Sequence, residues 1–317
     1  MKKVIFIFIF IFILFGCKKK NKVYEIDNDY IYFGSYPQTL ITDEEQIKNL
    51  NTNINLDDLS NLTSYEYYCN GIIEDYMYYI DIDSNNDGAF DYRGIYFDKY
   101  RPYKFSLDSE INKTYQDDNG YLVNTVYWFK YEKIKWKILK KNKKSAMIIS
   151  DLILDSQDYY PSDRWDLFEH NGKVGYVNNY ELSNIRKWLN DNFYNTAFNT
   201  LEKEIIKTTK VDNSLESTTR ISNDYICDNT LDKVFLLSHK ELNDYFKTEE
   251  ERQNKATNYA SSQGISTGEN GYSYWRLRTP YTNFVGRDTL INHEGKIFNL
   301  GVDYNCYGIR PAINIKL

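Results

Sequence analysis

Residues 275–280 read Trp275-Arg276-Leu277-Arg278-Thr279-Pro280, and residues 308–317 answer them with Gly308-Ile309-Arg310-Pro311-Ala312-Ile313-Asn314-Ile315-Lys316-Leu317. In the first run Trp275, Leu277 and Thr279 alternate with Arg276 and Arg278, the period-two pattern of a half-buried strand. Pro280 stops the ladder because it has no N–H to donate. In the second run Ala312, Asn314 and Lys316 share one face and Ile313, Ile315 and Leu317 the other, so the segment reads as a paired strand rather than a loose tail. Between the two, 287–291 and 296–300 flank Asn292-His293-Glu294-Gly295, whose glycine suits the positive φ of a hairpin turn. The expectation is a four-stranded antiparallel sheet over 274–317, with Trp275 largely buried in it. Arg278 near Pro280 and Arg310 next to Pro311 are expected to hold strands together by bonding loop carbonyls or acids.

Further motifs lie upstream: Phe33-Gly34-Ser35-Tyr36-Pro37-Gln38, Trp128-Phe129-Lys130-Tyr131-Glu132, Ile134-Lys135-Trp136-Lys137-Ile138-Leu139, Ile185-Arg186-Lys187-Trp188-Leu189-Asn190 and Asp232-Lys233-Val234-Phe235-Leu236-Leu237-Ser238. Together with the Trp-x-Leu-Arg-Thr-Pro run and the terminal Gly-Ile-Arg-Pro-Ala, this order resembles a bacterial family of uncharacterised extracytoplasmic domains. More distantly, the closing strands resemble C-type-lectin-like folds, including the formylglycine-generating enzyme group. The resemblance implies an α+β, C-type-lectin-like fold of mostly antiparallel strands with about three short helices. Formylglycine-generating enzymes use a cysteine pair shortly before the C-terminus. Here Cys306 stands alone, which argues against that oxidase chemistry.

The chain opens Met-Lys-Lys, runs apolar from Val4 to Phe15 and reaches Gly16-Cys17. A basic start, a short apolar run and a small residue make a secretory signal, and the run falls short of the ~20 residues of a membrane-spanning helix. Leu14-Phe15-Gly16-Cys17 resembles a lipobox, so residues 1–16 are expected to be removed and Cys17 to carry lipid. Residues 17–28 then form a polar tether, and 29–317 one domain with a Tyr-rich hairpin insertion near 63–125. The membrane, reached through the N-terminal lipid, is one expected partner; the expected address is the bacterial cell envelope, outside the cytoplasm.

Losing Lys2 and Lys3 moves the formal charge from −6 to −8. An acidic chain argues against nucleic acid, whose phosphates need a basic face. Tyrosine supplies much of the hydrophobic content, with 31 Tyr against 17 Phe. Beyond Cys17 there remain Cys69, Cys227 and Cys306, too scattered for a zinc site. One disulfide with one free thiol, or three small buried residues, both fit.

Thr42 and Glu45 form a capping box for a helix to Leu50. Tyr65 to Ile82 and Tyr92 to Tyr100 read as a hairpin, Val126 to Leu139 as two strands, and 155–180 as a long surface loop of the kind that carries recognition residues. Ser183 caps a helix whose apolar stripe is Ile185, Trp188, Leu189 and Phe193, with Trp188 read as core. Asn199 with Glu202, and Ser238 with Glu241, open two more helices.

One stretch is built like a ligand set. In Asp81-Ile82-Asp83-Ser84-Asn85-Asn86-Asp87-Gly88-Ala89-Phe90-Asp91, counting from Asp83, oxygens fall at the first, third, fifth and ninth positions and glycine at the sixth, as in the first part of a calcium loop. The twelfth position is Gly94 and not Glu, so the closing bidentate ligand is missing. Weak calcium binding by Asp83, Asn85, Asp87 and Asp91, with Asp81 as an extra ligand, stands beside a plain polar turn, for which Asn-Asp-Gly is strong chemistry. No cofactor is required. No nucleophile elbow or phosphate loop occurs, and His170, His239 and His293 read as surface residues. The expected function is a non-enzymatic binding or adhesin module for a glycan or protein ligand. The alternatives are a hydrolase using paired carboxylates and a structural envelope lipoprotein.

Overall fold

A computed structural model describes residues 23–69, 72–101, 115–160, 168–170, 172–218, 227–281 and 284–317. It is a mixed α+β fold dominated by antiparallel strands. The main, nine-stranded sheet runs Val234–Phe235, Ala312–Lys316, Ser145–Ser150, Val126–Lys141, Tyr92–Tyr96, Ile72–Ile82 and Thr63–Cys69, with Tyr30–Leu40 and Glu25–Asp27 branching from it.

The Val126–Lys141 strand is the branch point. One of its edges pairs with Tyr30–Leu40 from Phe129 to Lys137. The other edge takes Tyr92–Tyr96 along its first half and Ser145–Ser150 along its second. This corrects the expected pair of strands over 126–139. Glu132-Lys133 marks no turn, because the neighbouring strand pairs across both residues. The Tyr-rich hairpin is likewise three strands, Thr63–Cys69, Ile72–Ile82 and Tyr92–Tyr96, since a run as long as 65–82 folds back on itself. Gly94 is needed at its place: a Cβ there would lie 2.7 Å from the Trp128 ring.

The second sheet has five strands in the order Ile297–Gly301, Arg287–Ile291, Trp275–Pro280, Gly308–Ile309 and Asp155–Ser156. The hairpin around Asn292–Gly295 forms as expected, but the four-stranded antiparallel sheet does not. Gly308–Ile309 meets Trp275 in parallel, and Ala312–Lys316 leaves for the main sheet, where it pairs with Ser145–Ser150 and Val234–Phe235. Alternation in 312–317 shows which face is apolar; it carries no information on which strand lies alongside.

Arg310-Pro311 is thus the crossing between the sheets, and Ser150 to Asp155 crosses beside it. The Ser150 N–H donates to the Pro311 carbonyl (2.9 Å) and the Leu154 N–H to that of Ile309 (3.0 Å). One contiguous apolar cluster runs through both sheets, from Ile31, Phe33 and Trp136 to Trp275, Leu277, Ile309 and Ile315.

Helices are more numerous than the three expected: nine α-helices lie among the described residues, most of four to six residues, too short to carry an apolar period. The Glu44–Asn51 helix is capped by Asp43, one residue past Thr42, through the Gln46 N–H. Both other boxes form, Asn199 with Glu202 and Ser238 with Glu241. The 155–180 segment is not a surface loop throughout: Asp155, Ser156, Gln157, Tyr159, Val177, Asn178 and Tyr180 are buried. Residues 161–167 lie outside the described residues.

Candidate functional site

A cleft of about 410 Å³ opens where the Tyr-rich strands, the 157–158 segment and the helix after Ser183 meet. Tyr65 and Tyr79 line it from the Thr63–Cys69 and Ile72–Ile82 strands, Gln157 and Asp158 from beneath the second sheet's last strand, and Lys187 and Trp188 from the helix. Thr63, Ser64, Asn184 and Asn192 are the other described residues of the wall.

Trp188 reaches the cleft for a local reason. The Ser183 side chain caps the Asn184–Trp188 helix through the Arg186 N–H. At Leu189 the chain changes to a π-helical turn, Leu189–Phe193. Ile185, Leu189 and Phe193 are fully buried, but Trp188 sits at the margin of their stripe and is half-buried. Trp188, read as core, does pack against the core beside Phe193, and the rest of its ring is left to the cleft. Its indole N–H donates to the Tyr65 hydroxyl (3.1 Å), which also accepts from the Gln157 amide (2.8 Å). The same amide lies 3.2 Å from Asp155 Oδ1, and Tyr36 donates to Asp155 Oδ2 (2.6 Å).

The floor is clamped from below. Arg101 donates to the Ser156 carbonyl (2.9 Å) and Arg276 Nε to that of Gln157 (3.3 Å). The Tyr159 N–H donates to Val302 (2.8 Å), and its hydroxyl to the Arg278 carbonyl (3.0 Å). Arg276 is fully buried, with Asp288 at 2.5 Å. The alternation predicts a half-buried strand; instead all of 275–280 is buried.

Asp158 differs from its neighbours. Its Oδ2 is sealed from water and makes no hydrogen bond. Burial pushes its carboxyl above the ordinary aspartate range, against the pull of Arg101 and Arg276. Asp155 is also pushed up by burial, but Tyr36, the Ser156 N–H and Gln157 satisfy it. Sequence reasoning missed Asp158, and no spacing singles it out; the signal is a buried, unpaired carboxylate oxygen beside half-buried rings.

The expected calcium ligands do lie together in the Ile82-to-Tyr92 turn, each with a partner. Asp83 accepts from the Asp87 and Gly88 N–H groups (3.1 and 2.7 Å), Asn85 from Asp87 (2.9 Å) and Asp87 from Ala89 (2.9 Å). Asp91 accepts from the Ser84 N–H (2.9 Å) and hydroxyl (2.5 Å). Asp81 faces away, held by Arg93 through two bonds of 2.7 Å and by the Tyr131 hydroxyl (3.0 Å). Among the described residues no group of three or more His, Cys, Asp or Glu side chains stands ready to hold a metal ion.

Cys227 and Cys306 are free thiols; Cys17 and the side chain of Cys69 lie outside the described residues. Among the described residues no helix is long and apolar enough to cross a membrane. Arg278 bonds the carbonyls of Leu236 (2.6 Å) and Asp212 (3.0 Å), the Asn213 side chain (3.2 Å) and Glu241 (2.5 Å). Pro280 ends the fully buried 275–280 strand. Arg310 donates through Nε to the Ser150 carbonyl (2.9 Å).

Compared with known proteins, residues 143–317 match the model of one family, described as a domain of unknown function (DUF6273). The match begins downstream of the motifs around Phe33, Trp128 and Trp136. No curated protein and no solved structure matches.

Proposed function

The chain belongs to the DUF6273 family, and we propose that this member is a lipid-anchored binding module of the cell envelope whose ligand sits in the Trp188 cleft. The carrying observation is a concave wall of half-buried rings, Trp188, Tyr65 and Tyr79, above a floor fixed by buried arginines. Ligand sites are concave, with apolar rings and a few fixed polar groups. The run from Val4 to Cys17 supports the anchor. The paired Trp275 and Arg310 runs support a C-type-lectin-like relationship, as an analogy of fold.

Paired-carboxylate hydrolysis is the weaker reading. Asp158 is the one acid among the described residues lining the cleft, and the nearby Asp155 is engaged by three partners. The test is an array of glycans, peptides and envelope polymers, probed with the wild type and Trp188→Ala. Binding without product, lost in Trp188→Ala, is the expected result. Binding that ignores the substitution overturns the cleft; product formation turns the reading to hydrolysis. For the anchor, Cys17→Ser is expected to shift the protein out of the detergent phase, and unchanged partitioning counts against lipidation.

A further inference from the structure

We propose that the cleft takes a neutral, polyhydroxylated ring, that is, a saccharide, and that Asp158 is the acceptor that fixes one of its hydroxyls. This rests on the cleft being the binding site proposed above.

Charge narrows the class first. Among the described residues of the wall, Asp158 and Lys187 carry charge, one of each sign, so these show no surplus that would select an anion or a cation. The chemistry of the remaining wall narrows it further. Half-buried rings, Trp188 and Tyr65, offer cover for the apolar C–H face of a sugar. Beside them Asn184 and Asn192 are exposed, and an amide both donates and accepts, as a hydroxyl does. A peptide would use different features. It would add to the edge strand Thr63–Cys69 by backbone pairing, and would have no call on a carboxylate.

Asp158 supplies the third argument. A buried carboxylate oxygen with no partner opposes folding and needs a reason to be there. A ligand hydroxyl is the missing donor. Asp158 lines the cleft and its terminal carboxyl torsion is soft, so the carboxyl can turn to meet a ligand hydroxyl there. A polar group left unpaired until the right ligand arrives also rejects ligands that lack the matching group.

This gives a signature that a structural aspartate does not have. Removing Asp158 should weaken binding while leaving the unliganded protein as stable or more stable. The experiment is calorimetric titration of the whole chain in detergent micelles with neutral mono- and oligosaccharides of gluco, galacto, manno and N-acetylated type, to about 10 mM. A neutral tripeptide set serves as the comparison. Asp158→Ala, Asp158→Asn and Trp188→Ala are titrated alongside, with melting curves for each. The expected result is saccharide binding that falls at least tenfold in Asp158→Ala and less in Asp158→Asn, which keeps an acceptor oxygen. The melting temperature should be unchanged or raised in both. A melting temperature lowered in Asp158→Ala with saccharide affinity unchanged overturns the role of Asp158. Peptide binding that depends on Trp188, with no saccharide binding, overturns the ligand class but keeps the cleft as the site. No Trp188-dependent binding of either class overturns this proposal together with the reading beneath it.

Discussion

Arg310 is a fully buried guanidinium with no carboxylate partner among the described residues, and its Nη1 makes no hydrogen bond. Two rings cover it instead: its guanidinium carbon lies 5.0 Å from the centre of the Trp275 ring and 5.2 Å from that of Phe246. Burial pushes its pKa down to about 10, so it keeps its charge at neutral pH. Its worth to the fold is mostly the volume between those rings and the bond to Ser150. Arg310→Ala opens a cavity and strands the Ser150 carbonyl, at a cost of about 3 kcal/mol. Arg310→Met fills the same space without a buried charge and should cost clearly less; urea titration of both variants checks the order.

Asp158 carries a pH dependence whose sign follows from its burial. Its folded carboxyl is raised above the ordinary value of 3.8, so the folded state holds the proton more tightly than the unfolded chain. The stability this provides is fully present below the unfolded value and is lost as pH rises through the folded one. Asp155 and Asp232 are shifted the same way, also by burial first. Urea titrations at stepped pH should therefore show stability falling above the ordinary carboxylate range, with a shallower fall in Asp158→Asn.

At the scale of elements, the Asp83–Asp91 turn holds itself by side chain to backbone bonds, with Gly88 at φ +88°. Asp83→Ala removes two of those bonds and should cost about 1–2 kcal/mol. A chelator should leave the melting temperature of the wild type unchanged. A rise in millimolar calcium, abolished by Asp83→Ala with Asp87→Ala, is the outcome that would establish weak calcium binding at this turn.

What was legible at this scale was local. Two capping boxes and the Asn292–Gly295 hairpin were readable because each is decided within a few residues. The pairing of Ala312–Lys316 was not, because its neighbours lie far away in sequence. Arg276 falls on the polar side of what reads as a half-buried strand because charge is a guide to exposure, which fails where Asp288 and buried carbonyls take up its donors. Trp188 fitted a helical stripe, and only its partial burial against the core shows that it stands at the stripe's edge.

At the scale of the molecule, the matched region and the folded unit do not coincide. The match begins at 143, just before Ser145–Ser150, yet that strand is paired to Val126–Lys141, which holds Tyr30–Leu40 in turn. The 143–317 segment alone would expose the edge of Ser145–Ser150 and the apolar face that Phe33 and Trp136 cover. It is expected to be insoluble or to give no dispersed amide spectrum, whereas residues 23–317 fold. The Asp158 cleft follows the same pattern: Tyr65 and Tyr79 come from outside the match and Trp188 from inside it, so no local stretch of sequence announces it.

The crossing at Arg310-Pro311 also bears on time. Arg310 closes on Ser150 across 160 residues of chain, and the nine residues from Gly308 to Lys316 supply an inner strand to each sheet. Pairings of that separation place a chain among slow folders, from milliseconds to seconds. While it waits, Val234–Phe235 and Ser145–Ser150 lack the strand that lies between them, and Trp275–Pro280 lacks its parallel neighbour. Unpaired edges in two sheets at once are templates for other copies. Refolding from urea should therefore give a yield that drops as protein concentration rises, even where the finished protein shows no tendency to associate.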